Sequence, residues 1–262
     1  SLGAQSFNVE PLRKLGRIHG PNEIHSSYEK AMAAGFDSIN LDIMFALPGQ
    51  NIDMAFRDVE QLVELEPAHI SYYQLTLEPN TVFHSNPPVD IPDGEESFII
   101  QQQCHALMVA NGYEQYEISA FAKLGFRCRH NLNYWTFGDY LAAGAGAHGK
   151  FTDNEGKIWR YTKPRHPLSY IEQVERRCID NMEREVSVAD IGFEFMLNAL
   201  RLPEGFTVSD YIARTGLSLD PLREGLELAQ AKGMIEPIDG PGWRPTAFGL
   251  RFLNDLTAIF LV

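Results

Sequence analysis

Cysteine is scarce in this chain. Its 262 residues include three cysteines, Cys104, Cys128 and Cys178, which lie far apart in the sequence. This spacing excludes a disulfide framework and every CxxC-type metal motif. Dispersed thiols of this kind are typical of proteins in a reducing compartment. We therefore expect a cytoplasmic protein whose fold depends on its apolar core.

Basic residues and long apolar runs are also in short supply. The chain carries 22 Lys and Arg against 35 Asp and Glu, which gives a formal net charge of −13. Nucleic-acid binding needs clustered Lys and Arg, so we expect no nucleic-acid partner. No uninterrupted apolar run approaches the roughly 20 residues that a membrane-spanning helix requires. With 44% hydrophobic residues, the composition is that of a globular protein.

The first half of the chain alternates between strand and helix patterns. Apolar segments predict strands at residues 1–7, 38–45 and 69–76, with helices between them at 21–34 and 53–65. This alternation predicts a parallel sheet with helical crossovers. Beyond it we predict a long proline-containing loop at 77–95, a helix at 95–111 and a strand near 114–119. An irregular aromatic segment at 126–140 and a short strand at 159–161 follow.

The pattern changes near residue 185. Three amphipathic helices are predicted at 189–201, 207–215 and 220–232, followed by two short strands around a turn. Three helices and a hairpin are typical of a winged-helix domain, so we predict domains at 1–184 and 185–262. Residues 186–262 contain ten acidic and six basic residues. That charge disfavours DNA binding, the usual role of such a domain.

Several polar residues stand in otherwise apolar strands. Gln5, Asp42 and Gln74 occur in three successive predicted strands. Ligands of parallel α/β sheets bind at the carboxyl ends of strands, so these side chains are candidates for a shared site. Alternatively, each satisfies a neighbouring backbone group. Arg17 by itself reads as a surface arginine. The run LAAGAGAHG, which contains His148, allows a ligand to approach the backbone closely, and a tightly packed strand explains it equally well.

Residues 128–135, CRHNLNYW, combine cysteine, histidine and aromatic side chains. Histidine is a common ligand of metals and of haem iron, although many histidines only make structural hydrogen bonds. A nucleophilic pair of Cys128 and His130 is a further interpretation, but it lacks a separate orienting group. The segment does not resemble a regular helix or strand.

Together these segments resemble a known family, the radical S-adenosylmethionine proteins related to oxygen-independent coproporphyrinogen III oxidase. Within it they look most like the HemW-type haem chaperones, of which the HNxxYW segment is the more specific mark. The resemblance covers essentially the whole chain. It rests on GAQSF at 3–7, LGRIH at 15–19, LDIMFALPGQ at 41–50, YEQYEIS at 113–119 and HNLNYW at 130–135.

The resemblance implies a fold and a set of cofactors. The fold would be α/β, the C-terminal part of an incomplete (β/α) barrel with parallel strands, followed by a small winged-helix-like domain. The intact protein would hold S-adenosylmethionine, a [4Fe–4S] cluster and haem. The family's CxxxCxxC motif is absent from this sequence. We therefore expect a fragment without cluster ligands, inactive in radical chemistry and weak in binding S-adenosylmethionine, whose N-terminal strand is an exposed edge open to association.

The resemblance also implies roles for individual residues. S-adenosylmethionine would be contacted by Gln5, Arg17, Asp42, His148 and, with a weaker match of its surroundings, Gln74. Haem would be contacted by His130, Asn131, Tyr134 and Trp135, with His130 as iron ligand and Cys128 as the competing ligand. The implied function is that of a haem chaperone, which binds haem and delivers it to apo haem proteins. The alternative is oxidative decarboxylation of coproporphyrinogen III in haem biosynthesis, and whether the chain is an enzyme stays open.

Overall fold

The computed structural model describes residues 1–79, 81–178 and 182–261. Val262, the last residue of the predicted C-terminal domain, lies outside the described residues. Contacts divide the chain into two compact units, Ser1–Cys128 and Arg129–Val262. The domain boundary at 184/185 stays a prediction. Among the described residues, no helix has the length and apolar character to cross a membrane.

The first unit is built on a five-stranded mixed sheet. Its strand order is β1-β2-β3-β5-β4, in which β1, β2 and β3 run parallel and β5 is antiparallel to both of its neighbours. The predicted parallel sheet is confirmed, whereas the hairpin of β4 and β5 was not predicted. The strands are β1 (Leu2–Gln5), β2 (Asn40–Phe45), β3 (His69–Gln74), β4 (Glu114–Glu117) and β5 (Ala120–Ala122).

Helices of the first unit begin where the sequence supplies N-caps. The side chain of Asn51 accepts a hydrogen bond from the Met54 amide, and that of Asp93 accepts one from the Glu96 amide. The predicted loop at 77–95 contains a short helix that the prolines concealed. The helices are α1 (Val9–Lys14), α2 (Pro21–Ala33), α3 (Ile52–Glu64), α4 (Val82–Ser85) and α5 (Gly94–Ala110).

The two faces of the parallel strands differ in chemistry. Leu41, Ile43 and Phe45 of β2 are buried in the core with residues of α3 and α5, such as Val59 and Ile100. Because side chains alternate along a strand, the remaining residues of β2 share the opposite face. Those residues, Asn40, Asp42 and Met44, are half-buried. The sheet therefore carries a polar face, which positions the candidate site.

The second unit begins with a helix and an antiparallel sheet. The segment 126–140, predicted to be irregular, contains α6 (Arg129–Trp135), so this prediction was wrong: the polar and aromatic side chains pack as a short helix. A sheet with the order β6-β7-β8 follows, of which only a strand near 159–161 was predicted. Its strands are β6 (His148–Thr152), β7 (Ile158–Thr162) and β8 (Met182–Glu185), with α7 (Pro167–Glu175) between β7 and β8.

The rest of the second unit surrounds an aromatic core. Phe195, Phe206 and Tyr211 pack edge-to-face, with ring centroids 5.0–5.2 Å apart. The predicted helices and hairpin occur here, and their winged-helix assignment stays a prediction. The elements are α8 (Val188–Ala199), β9 (Phe206–Thr207), α9 (Val208–Thr215), a 3-10 turn (Asp220–Leu222), α10 (Arg223–Ala231), β10 (Ile235–Pro237), β11 (Gly242–Pro245), α11 (Ala247–Arg251) and α12 (Leu253–Ala258).

Candidate functional site

Three of the predicted ligand-binding residues influence the pKa of Tyr73, which lies on the polar face of β3. The Tyr73 hydroxyl donates a 3.1 Å hydrogen bond to Oε1 of Gln5. Burial raises the pKa of Tyr73, and the negative charge of Asp42 raises it further. The bond to Gln5 and the positive charge of Arg17 oppose this rise. Gln5, Arg17 and Asp42 therefore share one electrostatic environment, although they are distant in the sequence.

Gln5 is held in an unusual backbone conformation. Its φ is 69°, in the left-handed region that costs a non-glycine residue about 1–3 kcal/mol. The side chain is almost completely buried. The neighbouring glycine makes room for it, because a Cβ on Gly3 would lie 2.8 Å from Nε2 of Gln5. The end of β1 is thus shaped to place an amide side chain against Tyr73.

Asp42 lies in the middle of β2 rather than at its carboxyl end. It pairs in register with Gly3 of β1 and with Ser71 of β3. Its carboxylate accepts hydrogen bonds from Nδ2 of Asn40 at 2.8 Å and from Oγ of Ser1 at 3.3 Å. These donors hold the carboxylate over the polar face.

The structure does not bring Gln74 onto that face. Gln74 pairs with Phe45 at the end of β3, and alternation places it on the side of Ile70 and Tyr72. It is exposed. Tyr73, one residue earlier, takes the place that the sequence analysis gave to Gln74. A role for Gln74 in ligand binding stays a prediction.

A neutral histidine extends the polar face. Nδ1 of His69 lies 2.6 Å from Oδ1 of Asn40, and Nε2 lies 2.6 Å from the Tyr116 hydroxyl. Burial lowers the pKa of His69 to about 4, with Asp42 opposing the shift. Since Oδ1 is an acceptor, Nδ1 carries the proton and the tyrosine donates to Nε2. This cluster was not predicted from the sequence, although polar residues at alternate positions of β2 and β3 indicate it.

In the second unit, α6 presents an exposed imidazole backed by aromatic rings. The ring of His130 meets that of Tyr134 edge-on at a centroid distance of 4.6 Å, and Tyr134 lies 4.2 Å from Tyr140. No hydrogen bond to the His130 ring is found within the described residues. Its ring nitrogens are therefore available to an external ligand. Asn131 is the next residue along the helix, so the two side chains diverge, and its predicted orienting role stays a prediction.

Trp135 faces a cation. The guanidinium carbon of Arg201 lies 4.1 Å from the centroid of the Trp135 ring, which is cation–π geometry. The indole Nε1–H is buried and has no hydrogen-bond partner in the described part of the chain. Trp135 therefore joins α6 to the remainder of its unit, and its predicted contact with haem stays a prediction.

The other two predicted residues belong to different environments. His148 starts β6 in the second unit, where its Nδ1 lies 3.2 Å from the Thr162 hydroxyl. Cys128 is a half-buried free thiol that ends the first unit. Cys104 is buried in the core, and this burial raises the pKa of its thiol to about 11. A thiol with such a high pKa is rarely deprotonated at neutral pH and is therefore a poor metal ligand.

Comparisons with known proteins assign the chain to a family. The family model of the HemN C-terminal domain matches residues 186–252. The chain is 46% identical over 261 residues to the heme chaperone HemW of Escherichia coli, covering all of this chain and 68% of that protein. It is 44% identical to the heme chaperone HemW of Haemophilus influenzae, covering 67% of it. The chain therefore spans about two thirds of these relatives.

A solved structure supports the fold. The chain matches the structure described as "Coproporphyrinogen III oxidase (HemN) from Escherichia coli is a Radical SAM enzyme" with a TM-score of 0.77 and 20% identity. The match covers 98% of this chain and 62% of that one. At this identity the likeness establishes the fold, which includes the predicted parallel strands of an incomplete barrel. With the sequence relatives, it leads to one conclusion: the chain belongs to the heme chaperone HemW family.

Proposed function

We propose that this chain is part of a haem chaperone, a protein that binds haem and delivers it to apo haem proteins. The observation that carries the proposal is the exposed His130 imidazole on α6, backed by Tyr134 and Tyr140. A neutral imidazole is a normal ligand of haem iron, and flat aromatic rings cover a macrocycle well. The curated relatives bear the name of haem chaperones.

The residues of α6 fit such a cargo. His130 is exposed, so a large planar ligand can reach it without rearrangement of the core. Tyr134 holds the imidazole edge-on, which limits its rotation. In this proposal, His130 ligates the iron, and Tyr134 and Trp135 pack beside the porphyrin. Asn131 contacts the haem from the next position of the helix.

Haem titration of the chain and its His130→Ala variant tests this function. We expect the variant to shift the Soret band and to bind haem at least about tenfold more weakly, the equivalent of 1.4 kcal/mol. His166→Ala is the matched control, because His166 is also exposed and its side chain makes no capping hydrogen bond. An unchanged Soret band and affinity in His130→Ala would refute ligation by His130. A change confined to Cys128→Ala would assign the ligand to the thiol.

The polar face of the first unit fits S-adenosylmethionine. Gln5 and Asp42 offer hydrogen-bonding groups suited to ribose hydroxyls and adenine edges, and Arg17 can pair with a carboxylate. Tyr73 adds a hydroxyl at the centre of this group. In the intact protein, a [4Fe–4S] cluster would hold the amino and carboxylate groups of the ligand. Calorimetry should show weak binding or none for this chain, and a micromolar dissociation constant would contradict that expectation.

Coproporphyrinogen III oxidation is the alternative function. Its support is the shared fold, and at 20% identity the fold does not specify the reaction. The two functions predict different results for a full-length protein. Retention of haem without turnover of coproporphyrinogen III supports the chaperone, whereas turnover without haem retention supports the oxidase.

The proposal also includes self-association through β1 and a cytoplasmic location. Within the described residues, β1 pairs with β2 alone and forms the edge of its sheet. Open edges invite pairing, so we place a possible self-association at β1. Size-exclusion chromatography of the chain tests it, and a monomer at every concentration would contradict it. The dispersed free thiols are consistent with a cytoplasmic location.

A further inference from the structure

A large cleft lies within the second unit, between the sheet β6-β7-β8 and helix α8. Its volume is about 720 Å³. That volume is within the range of small-molecule and cofactor sites. The sheet and the helix both belong to one compact unit. The residues that matter for its chemistry are His148, Arg160, Arg184, Phe193, Glu194 and Leu197.

Strand register directs three of these side chains to the same face of the sheet. His148 pairs with Thr162, and Arg160, two residues before Thr162 on β7, pairs with Arg184 of β8. Because side chains alternate, His148, Arg160 and Arg184 point to one side. Nδ1 of His148 is engaged by the Thr162 hydroxyl. Its Nε2 makes no hydrogen bond within the described residues and is therefore free for a ligand.

Helix α8 contributes an apolar patch to the opposite wall of the cleft, next to Glu194 and Asn198. The patch consists of Phe193 and Leu197, one helical turn apart, and Tyr140 lines the cleft from the sheet side, where it bridges to Lys150 of β6. Leu197 remains 46% exposed, although it is a large hydrophobic side chain. A ligand that covered this wall would remove apolar surface from water, which is favourable. The wall therefore suits a flat apolar molecule.

The charged groups of the cleft differ in how firmly they are held. Arg160 donates to Glu194 through Nε at 3.0 Å and Nη2 at 2.8 Å, and its Nη1 donates to the Tyr140 hydroxyl. Arg184 is 62% exposed and reaches Glu194 at 3.5 Å and Asp190 at 3.8 Å. Glu183 is a further carboxylate of the lining. Arg184 is thus the cation that an incoming carboxylate can recruit at little cost, since exposed, long ion pairs are weak.

We propose that this cleft binds the porphyrin ring of a haem, a flat apolar ligand that carries carboxylates. Phe193 and Leu197 cover the ring, Arg184 pairs with a propionate, and His148 presents Nε2 to the iron, a role that replaces the contact with S-adenosylmethionine expected for His148 from the sequence. The inference rests on the proposed haem function and adds a second imidazole to His130. The cleft also adjoins the contacts of α6, because Tyr140 lines it and touches Tyr134.

Metal-free protoporphyrin IX tests the ring site without iron ligation. Quenching of tryptophan fluorescence should report its binding, since all three tryptophans belong to the second unit. We expect Leu197→Glu, which puts a carboxylate into the apolar wall, to weaken binding at least about tenfold, or 1.4 kcal/mol. Ile212→Glu is the matched control: Ile212 is 48% exposed on α9 and does not line the cleft. Arg184→Ala should weaken porphyrin binding without altering the fold.

Haem tests the iron ligand. His148→Ala should shift the Soret band of bound haem and leave protoporphyrin binding unchanged, whereas His166→Ala should change neither. If the chain binds haem and neither Leu197→Glu nor His148→Ala has an effect, the cleft assignment is overturned and the chaperone proposal stands. If the chain binds protoporphyrin in a Leu197-dependent way but no haem, the ring site stands and the chaperone proposal fails. Binding of neither ligand overturns both.

Discussion

Asp58 is a buried carboxylate of α3 that connects this helix to the segments that follow β1 and β2. Its Oδ2 accepts hydrogen bonds from Oγ of Ser6 at 2.7 Å and from Nε2 of Gln50 at 3.2 Å, and Oδ1 accepts one from the Phe7 amide at 2.7 Å. The carboxylate thus fixes the chain that follows β1, directly after Gln5. We predict that its ionisation makes a separable contribution to the pH dependence of the stability of this unit, opposite in sign to the contribution of His69.

The direction in which stability changes with pH follows from the direction of the pKa shift of Asp58. Burial raises the pKa of Asp58 to about 6 from 3.8, although the three hydrogen bonds oppose the rise. The folded state therefore binds the proton more tightly than the unfolded chain does. The stability that this provides is fully present below pH 3.8 and is lost as pH rises through about 6. Between about pH 4.5 and 7.5 the loss amounts to roughly 2 kcal/mol.

Asp58→Asn is the perturbation that isolates this contribution, because the amide cannot ionise. One acceptor becomes an NH₂ group that faces the Gln50 amide donor, which should cost about 1–3 kcal/mol at any pH. The difference in unfolding free energy between the wild type and the variant should therefore shrink by roughly 2 kcal/mol from about pH 4.5 to 7.5. Urea unfolding followed by far-ultraviolet circular dichroism measures it, since the first unit contains no tryptophan.

Asp37→Asn serves as the control, because Asp37 is exposed in the same unit. Its stability curve should run parallel to that of the wild type across the pH range. If the Asp58→Asn curve also runs parallel to the wild type, the carboxylate titrates alike in the folded and unfolded states. The argument from burial would then be refuted.

Three further substitutions test the packing of the two units. Gly205→Ala should destabilise the second unit by more than about 2 kcal/mol, because φ is +74° and a Cβ would collide with the Trp243 carbonyl oxygen. Gly216→Ala, with φ +70° and open space around it, should cost only about 1 kcal/mol, and equal losses in tryptophan-monitored unfolding would contradict the steric argument. Tyr113→Phe should cost about 1 kcal/mol in the first unit, because the buried hydroxyl donates to the Pro67 carbonyl at 2.8 Å. An unchanged urea midpoint would show that this bond makes no net contribution.

Local patterns were sufficient to predict the parallel strands and most helices. The alternation and apolar runs at 38–45 and 69–76 identified β2 and β3, and Pro21 marked the first turn of α2. Helix α6 was missed because its aromatic and amide residues have weak helix propensity, which contacts such as Arg201 on Trp135 override. The strands β6 and β8 were missed because their stability comes from pairing with β7.

The sequence by itself determined the family, the parallel strands β1 to β3 with the helices between them, and some of the polar residues of the candidate site. It also named Gln5 and Asp42, because polar groups are costly in apolar strands and therefore stand out, whereas Arg17 was named only through the family resemblance. The tertiary structure decided which of them meet. Strand register and the left-handed turn at Gln5 selected Tyr73 as their common neighbour and left Gln74 on the other face. Register and face are fixed by long-range pairing between strands, and residue spacing along the chain does not encode them.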